Sequence, residues 1–122
     1  MSSNVVRIYH NPRCTKSRET LALLREKGVD PEVVEYLKTP PTVSEIKALI
    51  GKLNIAPGAL LRSKEEPYER LGLSATSSAD AVARAIAKEP VLLERPVVVV
   101  GDKAAIGRPP ENVLAILPKT KK

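Results

Sequence analysis

The only cysteine of this chain, Cys14, sits within the run Asn11-Pro12-Arg13-Cys14-Thr15-Lys16-Ser17-Arg18, so any thiol chemistry must be done by one sulfur among three cations. A thiolate, not a thiol, is the nucleophile, and neighbouring positive charge favours it. Guanidinium and ammonium groups also attract oxyanions, so nucleophile and anion site would coincide. No second cysteine follows at the spacing of a Cys-x-x-Cys pair, so an outside thiol would have to resolve any adduct on Cys14. One His and one Cys make no metal-ligand cluster, and no metal or bound cofactor is expected.

The elements around this run place the sulfur. Val5-Val6-Arg7-Ile8-Tyr9 reads as a strand, and Glu19 to Lys27 reads as a helix ending at Gly28. Cys14 then lies in a strand-to-helix turn, near the first residue of the helix. Backbone N–H groups there lack intrahelical partners and carry the positive end of the helix dipole. Such a turn stabilises a thiolate and holds a tetrahedral anion. A lone cysteine is otherwise most often a small inert hydrophobe. The polar flanks and the turn-forming Asn11-Pro12 argue for the reactive reading.

Downstream, Pro31 to Leu37 reads as a second strand, which makes a β-α-β unit with a parallel crossover. Pro40-Pro41 breaks the chain, and Thr42-Val43-Ser44-Glu45 is a capping box ahead of Ile46, Leu49, Ile50 and Leu53 at helical spacing. Ser63 to Glu66 offers a second capping box for a short helix that stops at Gly72. Ser77 to Glu89 reads as a further helix with Ala79, Val82, Ala83 and Ile86 inward. Val97 to Val100 and Ala104 to Ile106 flank Gly101-Asp102-Lys103 as a hairpin, and Pro109-Pro110 opens a last helix over Glu111 to Leu117. The order β-α-β, helical insert, β-β-α predicts an α/β, thioredoxin-like mixed sheet. Residues 1–122 would form a single domain, with an insertion over about 40–89 and a flexible basic tail at 119–122.

Arg62, Arg95 and Arg108 fall where elements meet. Each alone fits an ordinary surface arginine, and spacing does not bring them to Cys14. His10 closes the first strand, where it serves as readily in a structural role as in a catalytic one. Ser17 fits a first-turn serine that feeds its hydroxyl to the backbone.

The composition bounds the partners. The core residues are aliphatic, with three tyrosines and no Phe or Trp, so no aromatic platform for nucleobases is present. Lys119, Lys121 and Lys122 account for half of the formal charge of +6, and the remaining bases are interleaved with acids. The expectation is a small anionic substrate, with no nucleic acid and no membrane partner. The N-terminus lacks a signal-peptide pattern, and a single cysteine suits the reducing cytoplasm.

The run from Ile8 to Leu21, with Glu94-Arg95-Pro96-Val97-Val98-Val99 and Ile106-Gly107-Arg108-Pro109-Pro110-Glu111, resembles the two signatures of the glutaredoxin-coupled arsenate reductase family. Tyr36-Leu37-Lys38-Thr39-Pro40-Pro41 matches in kind, and the likeness spans about residues 5 to 117. The chain looks most like the short, arsenate-reductase-related branch. Thr15 and Lys16 stand where better-known members have a glycine after the cysteine. The resemblance implies a thioredoxin-like fold and a catalytic Cys14 assisted by His10 and Ser17. It also implies oxyanion binding by Arg62, Arg95 and Arg108, with Thr15 and Lys16 in the same loop, and a cis bond at Pro96. The implied reaction is arsenate to arsenite, with glutathione as co-substrate and glutaredoxin as partner. The alternatives are a glutathione-dependent oxidoreductase acting on another substrate, or a regulatory protein-binding module of the same fold.

Overall fold

The computed structural model describes residues 5–117, so the tail expected at 119–122 lies outside the described residues. The chain divides into two compact units, one of residues 1–35 with 95–122 and one of residues 36–94. The second is wider at both ends than the 40–89 insertion read from the sequence.

The first unit is built on a four-stranded mixed sheet, with β1 Val6–His10, β2 Glu32–Glu35, β3 Val97–Val100 and β4 Lys103–Ile106. The strand order is β2-β1-β3-β4. β1 pairs with β2 in parallel and with β3 antiparallel, and β3 pairs antiparallel with β4. α1, Thr15–Glu26, makes the crossover from β1 to β2. Period-2 alternation sends Val6, Ile8, Val98 and Val100 to one face, where they form a core with Leu24 of α1 and Val113 of the C-terminal segment. Gly28, at φ +80°, lets the chain leave α1 through the left-handed region. Gly101, at φ +60°, opens the two-residue turn between β3 and β4.

Several boundaries differ from the sequence reading. β2 stops at Glu35, because Tyr36 leaves the sheet and is fully buried at the start of the second unit. The last helix is a 3₁₀ helix, Pro110–Ile116, opened by proline at its first position.

In the second unit, α2 (Val43–Leu53) packs on α4 (Ala79–Lys88), burying Ile46, Leu49 and Ile50 with Val82, Ala83 and Ile86. The Thr42–Glu45 capping box forms with both of its bonds, at 3.1 and 2.8 Å. The second capping box does not form. α3 runs Glu66–Arg70 with Glu65 as its cap residue, because Pro67 belongs in a first turn and moves the start past Ser63. Residues 60–62 and 92–94 make a short antiparallel ribbon through Leu61–Leu93, with Arg62 N–H donating to Leu92 O and Glu94 N–H to Leu60 O.

Candidate active site

Three chain crossings meet at one end of the sheet. β1 ends at His10 and runs into the Cys14 loop, β3 begins at Val97 just after Arg95-Pro96, and β4 ends at Ile106 just before Gly107-Arg108. Val97 pairs with Ile106, so carrying that register one and two steps further sets Pro96 against Gly107 and Arg95 against Arg108. Gly107 N–H donates to Pro96 O at 2.9 Å, which extends the ladder by that first step. Arg108 Nε donates to Arg95 O at 2.8 Å and ties the two arginine-bearing segments together. The Arg95–Pro96 peptide is cis, as is Arg108–Pro109, which the sequence reading does not anticipate.

Cys14 is the residue that caps the N-terminus of α1, in extended conformation. Asn11 shapes the loop before it, its carbonyl accepting from Cys14 N–H and its Oδ1 from Arg13 N–H, both at 3.0 Å. Arg18 crosses the outside of the loop, donating to Pro12 O at 3.0 Å and to Thr15 Oγ1 at 3.3 Å. Cys14 lies on the inward stripe of α1 with Ser17, Thr20 and Leu24, which explains why it is only 7% exposed while Arg13, Thr15 and Lys16 face solvent.

Burial does not remove the sulfur from positive charge. Arg108 Nη2 stands 3.7 Å from Cys14 Sγ. Burial alone pushes the thiol up. The Ser17 and Lys16 amides and the charges of Arg95 and Arg108 outweigh it, so Cys14 lies below its ordinary value. Neither amide closes a strict cap bond to Sγ, so they act as aimed dipoles of the helix N-terminus.

His10 and Ser17 sit beneath this loop, 6% and 0% exposed. Their Nδ1 and Oγ are 2.6 Å apart. Asn11 N–H donates to Ser17 Oγ at 3.0 Å, so the serine hydroxyl joins strand end to helix instead of bonding back within α1. Burial lowers the His10 pKa, Glu35 raises it, and Arg25 and Arg18 lower it further, with a net fall. A neutral ring whose Nδ1 accepts the Ser17 proton carries its own proton on Nε2.

The remaining sequence candidates are placed as follows. Thr15 Oγ1 accepts from Arg18, and Lys16 Nζ lies 3.7 Å from Glu19, so both contribute to the loop chiefly through their backbone. Arg62 belongs to the second unit, where its guanidinium pairs with Glu65 at 2.9 Å. Among the described residues, no group of three or more His, Cys, Asp or Glu could hold a metal ion. No helix among them is long and apolar enough to cross a membrane.

The first unit thus carries a thioredoxin-like sheet with one cysteine at a helix N-terminus and, beside it, an arginine of the facing hairpin. The chain belongs to the ArsC family, whose profile matches residues 9–116. It is 50% identical over 114 residues to a protein named arsenate reductase from Neisseria meningitidis, covering 92% of this chain and 97% of that one. It is 43% identical over 121 residues to an arsenate reductase of Escherichia coli, covering 98% of this chain and 85% of that one. The solved structure of an arsenate reductase from Vibrio cholerae superposes with a TM-score of 0.88 at 49% identity, over 95% of this chain and all of that one.

Proposed function

We propose that this protein is an arsenate reductase, and the observation that carries this is the Cys14 sulfur at the α1 N-terminus with the Arg108 guanidinium 3.7 Å away. Arsenate is a tetrahedral oxyanion. The amides of the Thr15-Lys16-Ser17 turn and the forks of Arg95 and Arg108 suit its oxygens and stabilise negative charge as it accumulates. The Cys14 thiolate attacks arsenic(V), forming an S–As bond as one arsenic oxygen leaves as water. A glutathione thiolate then joins the centre. Two electrons pass to arsenic, arsenite departs, and the two sulfurs close as a Cys14–glutathione disulfide. Glutaredoxin, spending a further glutathione, returns Cys14 to the thiol.

The family resemblance and the lone cysteine support this outside supply of thiol, and a need for reduced glutathione supports a reading of the protein as cytoplasmic. His10 and Ser17 assist by fixing the Asn11–Cys14 loop around a neutral imidazole. Arg62 is assigned as a third oxyanion ligand on the family resemblance. Phosphate, of the same shape and charge, competes weakly.

The test is arsenate-dependent thiol consumption by the purified protein with glutathione, glutaredoxin and glutathione reductase. The native protein turns over, Cys14→Ser does not, and Arg62→Ala raises the arsenate KM. Turnover that survives Cys14→Ser, or none with the native protein, refutes the reading. Thiol consumption with disulfide substrates in place of arsenate would identify a different oxidoreductase.

A further inference from the structure

One contact in the first unit joins the helix that carries Cys14 to the hairpin that carries the arginines. Gly107 is buried against Thr20 of α1 and against Pro96. A methyl group at residue 107 would lie 2.5 Å from Thr20 Oγ1, 2.9 Å from Pro96 Cγ and 3.1 Å from Thr20 Cγ2. Gly107 does not occupy the left-handed region, so its backbone suits any L-residue and only the lack of space demands glycine.

Thr20 is 0% exposed, and its hydroxyl is spent on Lys16 O at 2.8 Å, one turn back along α1. It sits on the inward stripe of α1, one turn past Ser17. Its partner Gly107 immediately precedes Arg108, whose own path is fixed by Nε on Arg95 O and by Asn112 Nδ2 on its carbonyl at 3.0 Å. Helix and hairpin therefore touch at Thr20 and Gly107, and one residue further on the guanidinium reaches the sulfur.

We infer that Thr20 and Gly107 are paired positioning residues, whose close contact sets how far the Arg108 guanidinium stands from the Cys14 sulfur. Neither touches the reacting atoms. Glycine at 107 lets the β4 exit lie directly on the helix, and a larger residue wedges it away, taking Arg108 with it. The inference rests on Cys14 as nucleophile and Arg108 as its partner, but its test needs no arsenate, so it fails or stands apart from the choice of substrate.

The measurement is the pH midpoint of Cys14 alkylation by iodoacetamide, followed by intact mass. Altered access changes the plateau rate, whereas loss of the arginine's charge moves the midpoint. Gly107→Ala raises the midpoint by about 0.3–0.8 unit, a roughly two- to sixfold smaller thiolate fraction at lower pH, bounded by the full loss of Arg108. In an Arg108→Ala background the same change adds nothing, because the group being positioned is already gone. Thr20→Ala combined with Gly107→Ala removes two of the three clashes and returns the midpoint toward the native value. An unmoved midpoint in Gly107→Ala, or shifts that add fully in the Arg108→Ala background, overturns the inference. If Gly107→Ala alone does not fold, the Thr20→Ala double variant must fold with a near-native midpoint, and its failure to do so also overturns it.

Discussion

Replacing Arg108 by alanine removes a guanidinium whose Nη2 lies 3.7 Å from Cys14 Sγ. Two unit charges at that separation attract by about 1 kcal/mol with bulk-water screening and by about 4 kcal/mol at an effective dielectric near 20. Arg108 is exposed, so the lower figure governs, and about 1 kcal/mol corresponds to about 0.8 of a pKa unit. The alkylation midpoint of Cys14 therefore rises by roughly that amount in Arg108→Ala. Arg108→Lys separates charge from geometry. It keeps a cation near the sulfur but cannot reproduce the Nε bond to Arg95 O together with a second contact from the same planar group. Lysine should recover most of the midpoint shift while leaving arsenate kcat/KM down by roughly 10- to 100-fold, the scale of one lost charge-assisted hydrogen bond. A midpoint unchanged in Arg108→Ala would mean that the arginine does not stabilise the thiolate. A fully active Arg108→Lys would mean that its fork is not used.

Further predictions test the groups beneath the loop and in the second unit. Ser17→Ala leaves His10 Nδ1 and Asn11 N–H buried without their partner, and should cost about 1–3 kcal/mol by urea denaturation. A loss below about 0.5 kcal/mol would show that the hydroxyl is dispensable. The His10 pKa is lowered, so the unfolded chain takes up its proton at higher pH than the fold does. That contribution to stability is present above about pH 6.5 and is lost as pH falls through the depressed value, which His10→Gln should abolish in a series of melting curves. Cys14 is a lowered acid, so its contribution is full above the free-thiol range and is lost as pH falls through the folded value; Cys14→Ser should flatten that limb. Gly58→Ala would set a methyl 2.5 Å from Ala75 O, against backbone that cannot turn aside, and should destabilise the protein by about 1–3 kcal/mol.

The Cys14 loop was legible because its turn chemistry is local. Asn11-Pro12 ends a strand, Gly28 ends a helix, and the helix start between them fixes where the sulfur must be. The burial of Cys14 is readable in the three- and four-residue spacing it shares with Ser17, Thr20 and Leu24, although its immediate neighbours in sequence are polar. The convergence of Arg95 and Arg108 had a signal too. They lie six residues either side of the Gly101-Asp102 turn, so a two-residue hairpin makes them cross-strand neighbours.

Other features had no local signal. Gly107 reads as a conformational glycine, and only tertiary structure reveals that Thr20 occupies the space of its missing side chain. Tyr36 and Leu37 suit a strand by propensity, but burial of Tyr36 takes the chain out of the sheet, so β2 ends at Glu35. At α3, two local rules competed, and Pro67 prevailed over the Ser63–Glu66 spacing.

The claim on which the account stands is that one sulfur accepts arsenic and then glutathione. It is met most directly by incubating the protein with arsenate and glutathione in the absence of glutaredoxin, then reading the intact mass and the modified peptide. The account predicts one glutathione in disulfide linkage to Cys14, formed only when arsenate is present and matched by one arsenite released per chain. Arsenite produced with Cys14 unmodified, or the same adduct formed equally without arsenate, would contradict it.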